Sequence, residues 1–202
     1  RSKGIISAFD GAHAPGMMKV DLNDIGCDLY TGSMHKWLFA TKGTGFLYLR
    51  DKSVMDRVWN TIATGGYDDP TRMADRYMQI GASCTPTRMG LHAAISLADS
   101  IGIERIEARN RMLADYIHAE MVKRGAEDWT SPDPALRCAI ATVNVPPVQR
   151  MELQDWLWKN HKVRIRGGNP SKLRLATPYF LSKADIDRFL GLFDEYRKMK
   201  GA

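Results

Sequence analysis

Short apolar runs alternate with polar segments through the first fifty residues of the chain. Residues 5–9, 27–30 and 46–49 each have the length and composition of a buried strand. Polar and glycine-rich segments follow the first two runs directly. In open α/β sheets, ligand-binding groups lie at the carboxyl ends of the strands, so catalytic or ligand-binding residues are expected in these segments.

The middle of the chain has the spacing of helices. Between residues 89 and 124, apolar residues recur at three- to four-residue and seven-residue intervals. Gly102 interrupts this stretch, and Gly125 is placed to end it. Two stripes of predicted core residues result: Leu91, Ile95 and Ala98, then Ile106, Leu113, Ile117 and Met121.

Strand and helix patterns alternate beyond residue 125. Strands are predicted over residues 138–145, 163–166 and 173–176, and the strict alternation of residues 163–166 is typical of a half-buried strand. A capping box formed by Ser182 and Asp185 predicts the start of the last helix. The predicted helical anchors are Leu153, Trp156 and Leu157 over residues 148–160, then Ile186, Phe189, Phe193 and Tyr196. Turn residues mark a loop at 64–70 and a turn at 167–170.

Composition excludes several classes of protein. With 44% hydrophobic and 26% charged residues in a chain of 202, the sequence is typical of a globular protein, and no apolar run is long enough to span a bilayer. Cys27, Cys84 and Cys138 are too far apart for a zinc motif or a disulfide framework, which favours a reducing, cytoplasmic setting. The net charge of +6 comes from scattered basic residues, so we expect neither a nucleic-acid nor a membrane partner.

The candidate chemistry collects behind the first two predicted strands. Asp10 and His13 follow one strand, and Ser33, His35 and Lys36 follow the next. Singly, these residue types are more often turn formers, structural histidines or surface lysines. Together they offer a carboxylate, two imidazoles, a hydroxyl and an amine that can act as a nucleophile towards carbonyl groups. The spacing of Asp10, His13 and His35 matches no common zinc pattern, so no metal is predicted.

The combined pattern resembles a known family. Asp10-Gly-Ala-His13, Ser33-Met-His35-Lys36 and Gly43-Thr-Gly45-Phe-Leu-Tyr are similar to motifs of the class V aminotransferases, which are pyridoxal-phosphate (PLP) enzymes. The resemblance implies the α/β fold of the PLP-dependent transferases, that is, the aspartate aminotransferase-like fold type I. It also implies that this chain is the C-terminal portion of a longer enzyme. Residues 1–104 would then belong to the large PLP-binding domain, and residues 105–202 would form the small domain.

The resemblance also implies a role for each matching residue. Lys36 would hold PLP as an internal aldimine, Asp10 would keep the pyridine nitrogen protonated, and His13 would lie beside the ring near its phenolic oxygen. The remaining matches concern the phosphate of the cofactor and the carboxylate of the substrate. Ser33 and His35 would bind the cofactor phosphate, Thr85 would reach the phosphate in the neighbouring subunit of a homodimer, and Arg174 would clamp the substrate carboxylate.

The sequence does not decide which reaction the enzyme catalyses. An epimerase, lyase or aminotransferase acting on an amino acid fits, and the isopenicillin N epimerase-like branch is the most similar. A cysteine desulfurase is disfavoured, because residues 166–174 lack the cysteine that such enzymes carry on this loop. The other alternative is a non-catalytic fragment or degenerate homologue that acts only in association, since the upstream residues that complete the family's cofactor pocket are absent.

Overall fold

A computed structural model describes residues 3–59, 65–66, 68–78, 81, 84–166 and 170–201. The chain divides into two compact units, Arg1–Ile103 and Glu104–Ala202. That the first unit is part of a large PLP-binding domain and the second a small C-terminal domain stays a prediction. No helix within the described ranges is both long and apolar enough to cross a membrane.

The first unit contains a three-stranded mixed sheet. Its strands are β1 (Ala8–Asp10), β2 (Leu29–Ser33) and β3 (Gly45–Leu49), in the order β1-β2-β3. β1 runs parallel to β2, whereas β3 is antiparallel to it. The three apolar runs are therefore strands as predicted, although β1 begins three residues late and β2 continues to Ser33.

The late start of β1 has a local cause in a buried carboxylate. Asp28, only 3% exposed, accepts hydrogen bonds from the Ser7 backbone N–H (2.8 Å) and from the Ser7 hydroxyl (3.0 Å). The Arg50 guanidinium pairs with its other oxygen. A buried charge needs such partners, and the Ser7 N–H and hydroxyl are therefore both bound to Asp28. The same contacts connect residues that lie next to β1, β2 and β3.

Short helices surround this sheet. Asp21 caps α1 (Leu22–Ile25), and Gly26 ends it with a left-handed φ of 61°. Asp51 caps α2 (Lys52–Met55), whose Val54 and Met55 pack with Leu49 of β3. A 3₁₀ turn (Ala74–Met78) and the helix α3 (Thr85–Ile101) complete the described elements of this unit.

The predicted core stripe on α3 is wrong. The helix contains no buried residue, and Ile95 is 39% exposed. Periodicity identifies the apolar face of a helix, but burial also requires a second layer that covers that face. The break at Gly102 is confirmed, because this glycine has a φ of 92° between α3 and the next helix.

The second unit is an antiparallel sheet packed against helices. Its strands β4 (Glu127–Asp128), β5 (Ile140–Asn144) and β6 (Lys172–Ala176) pair in that order. The helices are α4 (Ile103–Lys123), α5 (Arg150–Trp156) with a following π turn (Leu157–His161), and α6 (Lys183–Lys200); a 3₁₀ turn covers Pro134–Leu136.

The predicted core residues of this unit are confirmed. Every predicted anchor of α4, α5, the π turn and α6 is buried, except Trp156, which is partly buried against the core. Complete burial of one such side chain stabilises the fold by about 1.5–3 kcal/mol. The capping box is also confirmed: the Ser182 hydroxyl accepts from the Asp185 N–H (3.2 Å), and the Asp185 carboxylate accepts from the Ser182 N–H (2.8 Å).

The predicted strand over residues 163–166 is wrong. Val163 donates its N–H to the Leu157 carbonyl (3.2 Å), so the segment begins as the exit from a helix. Only Arg166 pairs with the sheet, as an isolated bridge to Arg174. The burial still alternates along the segment, which explains why the sequence resembles a strand. Residues 64 and 67 of the predicted loop, and residues 167–169 of the predicted turn, lie outside the described residues.

Candidate active site

The strand pairing brings two polar segments to one edge of the first sheet. Because β1 and β2 are parallel, their last residues, Asp10 and Ser33, lie at the same edge. The Asp10 carboxylate accepts the Ala12 N–H (2.9 Å), which folds the chain back immediately after the strand. Gly11 is required in this turn, because a Cβ there would lie 2.0 Å from the Tyr30 ring.

Three of the predicted site residues line one pocket. Asp10, His13 and Lys36 surround a cavity of about 490 Å³, which we call the Lys36 pocket. Tyr30 and Met17 contribute to its wall. Burial, followed by the nearby Cys27 and Asp10, raises the pKa of Tyr30, so its hydroxyl stays neutral. The pocket thus combines a carboxylate, an imidazole and an amine.

A buried tryptophan fixes the orientation of His13. The Trp37 indole N–H donates to His13 Nδ1 at 3.0 Å, and Trp37 is only 6% exposed. Because an indole nitrogen can only donate, Nδ1 must carry the lone pair, and the neutral ring bears its proton on Nε2. Sequence reasoning missed Trp37; its place directly after Lys36 was the available signal.

The backbone around Lys36 is held by turns. Met34 donates its N–H to the Thr44 carbonyl (3.1 Å), and Ala40 donates to the Met34 carbonyl (3.1 Å). Gly16, with a φ of 80°, approaches the backbone of Leu38 so closely that a Cβ would lie 2.4 Å from its nitrogen. The amine therefore extends from a closed, packed loop and not from a free chain segment.

Ser33 and His35 are not among the residues that line the Lys36 pocket. His35 Nδ1 lies 2.9 Å from the Thr44 carbonyl, which can only accept, so Nδ1 carries a proton. The ring must be doubly protonated to donate from Nε2 as well. Ser33 pairs with Gly45 across β2 and β3. The phosphate-binding role of both residues stays a prediction.

Thr85 does not cap its helix. It is the exposed first residue of α3, and the N-cap is Cys84. The side-chain hydrogen bond from Thr87, together with the Thr87 N–H, lowers the pKa of the Cys84 thiol. Thr85 is thus near the amide groups of a helix start, and its contact with a cofactor phosphate stays a prediction.

Arg174 lies in the second unit. β6 alternates between core and exposed positions, with Leu173 and Leu175 buried, so Arg174 is on the opposite face and exposed. It lines a cavity of about 980 Å³ in this unit. Its guanidinium is accessible to a substrate carboxylate, but a contact with substrate stays a prediction.

The residues of the Lys36 pocket fit PLP chemically. The amine suits an aldehyde, the carboxylate suits a protonated pyridine nitrogen, and the fixed Nε2–H of His13 suits a phenolic oxygen. By contrast, no group of three histidine, cysteine or acidic residues within the described ranges could hold a metal ion.

Comparisons with known proteins agree with this chemistry. The model of the family aminotransferase class-V matches residues 1–182. Isopenicillin N epimerase from Streptomyces clavuligerus is 29% identical over 96% of this chain and 53% of its own length. A cysteine desulfurase from Yersinia pseudotuberculosis is 24% identical over the whole chain and 53% of its own. The chain therefore spans about half the length of these curated relatives.

Solved structures show the same fold. The apo cysteine desulfurase from Thermococcus onnurineus NA1 superposes with a TM-score of 0.85 at 21% identity, over 98% of this chain and 54% of that one. A mutant of C-DES with glycine covalently linked to the PLP cofactor superposes with a TM-score of 0.72 at 19% identity, over 90% of this chain and 49% of that one. The chain belongs to the aminotransferase class-V family of PLP-dependent enzymes and has their fold type I architecture, of which it covers a part.

Proposed function

We propose that this chain is the C-terminal portion of a PLP-dependent enzyme that acts on an amino acid through Lys36. The convergence of Asp10, His13 and Lys36 in one pocket is the observation that supports the proposal most strongly. Bound PLP would supply an aldehyde to the lysine amine and a ring that withdraws electrons from the substrate.

The chain's own residues would divide the work around that cofactor. Lys36 would anchor it and then hold or move the proton at the substrate α-carbon. Asp10 would keep the pyridine nitrogen protonated. His13, orientated by the Trp37 indole N–H at its Nδ1, would donate from Nε2 to the phenolic oxygen.

The remaining predicted residues would complete the site. Ser33 and His35 would donate to the cofactor phosphate, and Thr85 would do so for the partner subunit of a homodimer. Arg174 would bind the substrate carboxylate with its planar fork, for which its exposed position on β6 is suitable. The residues upstream of this chain would supply the rest of the pocket.

Epimerase, lyase and amino-transfer chemistry all begin with removal of the α-proton. Among these, epimerisation has the support of the similar isopenicillin N epimerases. Desulfurase chemistry is disfavoured despite the fold, because residues 166–174 contain no cysteine nucleophile. A non-catalytic role in association is the second candidate, favoured by the uncovered apolar residues of α3.

Exchange of the substrate α-proton in D₂O tests the proposal. The protein tested is a longer natural polypeptide that contains both this chain and the preceding half found in its relatives. It is incubated with PLP and single amino acids, and the α-proton signal is followed by NMR. We expect exchange that Lys36→Ala abolishes, without conversion of cysteine to alanine. Retention of the α-proton in every amino acid would support the non-catalytic role, and formation of alanine from cysteine would restore the desulfurase.

A further inference from the structure

The second unit carries two arginines directly opposite each other. Arg166 and Arg174 form an isolated antiparallel bridge, in which the Arg174 N–H donates to the Arg166 carbonyl at 2.7 Å. Opposed residues of an antiparallel pair have Cβ atoms about 4.5–5.5 Å apart on the same face. Both side chains are exposed, so two guanidiniums extend together from one face of the sheet.

Neither guanidinium is neutralised within the described part of the chain. No ion pair involves Arg166 or Arg174 there, although arginines elsewhere in this unit pair with carboxylates. Like charges placed directly opposite each other destabilise a strand pair. Two unneutralised guanidiniums in this position therefore form a site that an anion would stabilise.

The surroundings of the pair are also basic. The 980 Å³ cavity that contains both residues, here called the arginine groove, is lined by three further arginines: Arg150, Arg164 and Arg188. Neutral groups orientate all three: Arg150 bonds to Gln154, Arg164 stacks on Trp158 at 4.3 Å, and Arg188 donates to the His161 carbonyl at 2.9 Å.

Two carboxylates line the same groove. Asp185 is occupied by the capping box of α6, where it accepts from Ser182, and Asp155 is exposed at the end of α5. Five guanidiniums therefore face two carboxylates, and the excess positive charge is available to a ligand.

We propose that the arginine groove selects a substrate with a second carboxylate, which Arg166 binds beside the α-carboxylate held by Arg174. The inference rests on the proposed function, because that function assigns one carboxylate to Arg174. The bidentate fork of Arg174 would take one lone pair on each oxygen of the α-carboxylate, so a second acid group would give the Arg166 fork a full partner of its own. The substrate class is then the amino dicarboxylates and larger molecules that contain two acid groups.

Binding of small anions to the chain without PLP tests the groove directly. Glutarate and pentanoate have the same number of carbons but two and one carboxylates, and inorganic phosphate represents a cofactor phosphate. Their dissociation constants are measured by NMR of the arginine side chains at low salt. We expect glutarate to bind about tenfold more tightly than pentanoate, the advantage of one additional charged hydrogen-bonding pair.

Matched variants separate a specific site from general attraction to a basic protein. Arg166→Gln should bring glutarate to within about twofold of pentanoate, whereas Arg105→Gln, which removes an exposed charge outside the groove, should preserve the tenfold difference. Arg166→Lys, which keeps the charge but loses the fork, should give an intermediate result. A single cooperative thermal unfolding transition verifies that each variant is folded.

Equal binding of glutarate and pentanoate, or an equal effect of the Arg105 and Arg166 substitutions, would overturn the proposal. Tighter binding of phosphate than of glutarate at the pair would overturn it in favour of a phosphate site. The experiment uses neither PLP nor Lys36. A negative result in this binding experiment is therefore distinct from a negative result in the α-proton exchange experiment. If α-proton exchange were absent, the selectivity for glutarate would still be expected.

Discussion

At the residue scale, hydrogen-bonding partners decide which chemistry each side chain can perform. His13 is the clearest example, because the Trp37 indole donates to Nδ1 and so places the proton of the neutral ring on Nε2. The sequence predicted His13 as a site residue from its spacing after a strand. It could not predict the tautomer, since that depends on a contact between residues separated by 24 positions.

The Trp37 contact makes a prediction about the imidazole itself. In the ¹⁵N-labelled chain, the neutral form of the His13 ring should show a protonated Nε2 and an unprotonated Nδ1. Trp37→Phe removes the indole donor, so both tautomers should then be populated. Trp129→Phe, in the second unit, should leave the His13 signals unchanged. A protonated Nδ1 in the unsubstituted neutral ring would contradict the assignment.

At the element scale, the sequence predicts elements well where their signals are local. The Ser182 capping box and the break at Gly102 depend on residues within a few positions and are confirmed. The false strand at residues 163–166 and the uncovered stripe on α3 depend on what packs nearby. Alternation and periodicity describe one element, whereas pairing and burial involve a second.

The cap of α2 predicts a pH dependence of stability. Hydrogen bonds from the Ser53 hydroxyl, then from Arg50 and the Val54 N–H, hold the pKa of Asp51 well below its usual value. The folded pKa is thus below the unfolded value of about 3.9, so the stabilisation is present above that value and is lost as pH falls through the folded pKa.

Asp51→Asn keeps a capping oxygen but removes the charge. The free energy of unfolding, measured by denaturant titration at several pH values, should therefore fall at neutral pH and depend less steeply on acid. Asp99→Asn, at an exposed position of α3, serves as the matched control and should preserve the original profile. An unchanged acid profile in Asp51→Asn would show that this carboxylate is not coupled to folding.

At the scale of the whole molecule, the family could be predicted from motifs that the fold then explains. Asp10 and Lys36 are far apart in sequence, and the parallel pairing of β1 and β2 brings their segments to one edge. The buried Asp28 network was not predicted, since an aspartate within an apolar run gives no sign of its partners. Likewise, the opposed pair of Arg166 and Arg174 depends on a bridge between segments.

The central claim is that Lys36 binds PLP covalently, and borohydride reduction followed by peptide mass mapping tests it most directly. The chain is mixed with PLP, reduced and digested, and each lysine is examined for a pyridoxyl group. We predict an adduct on Lys36 in preference to the surface lysines, and its absence in Lys36→Ala. If Lys36 stayed unlabelled even in the natural polypeptide that includes the preceding half of the enzyme, the PLP assignment at this residue would be contradicted.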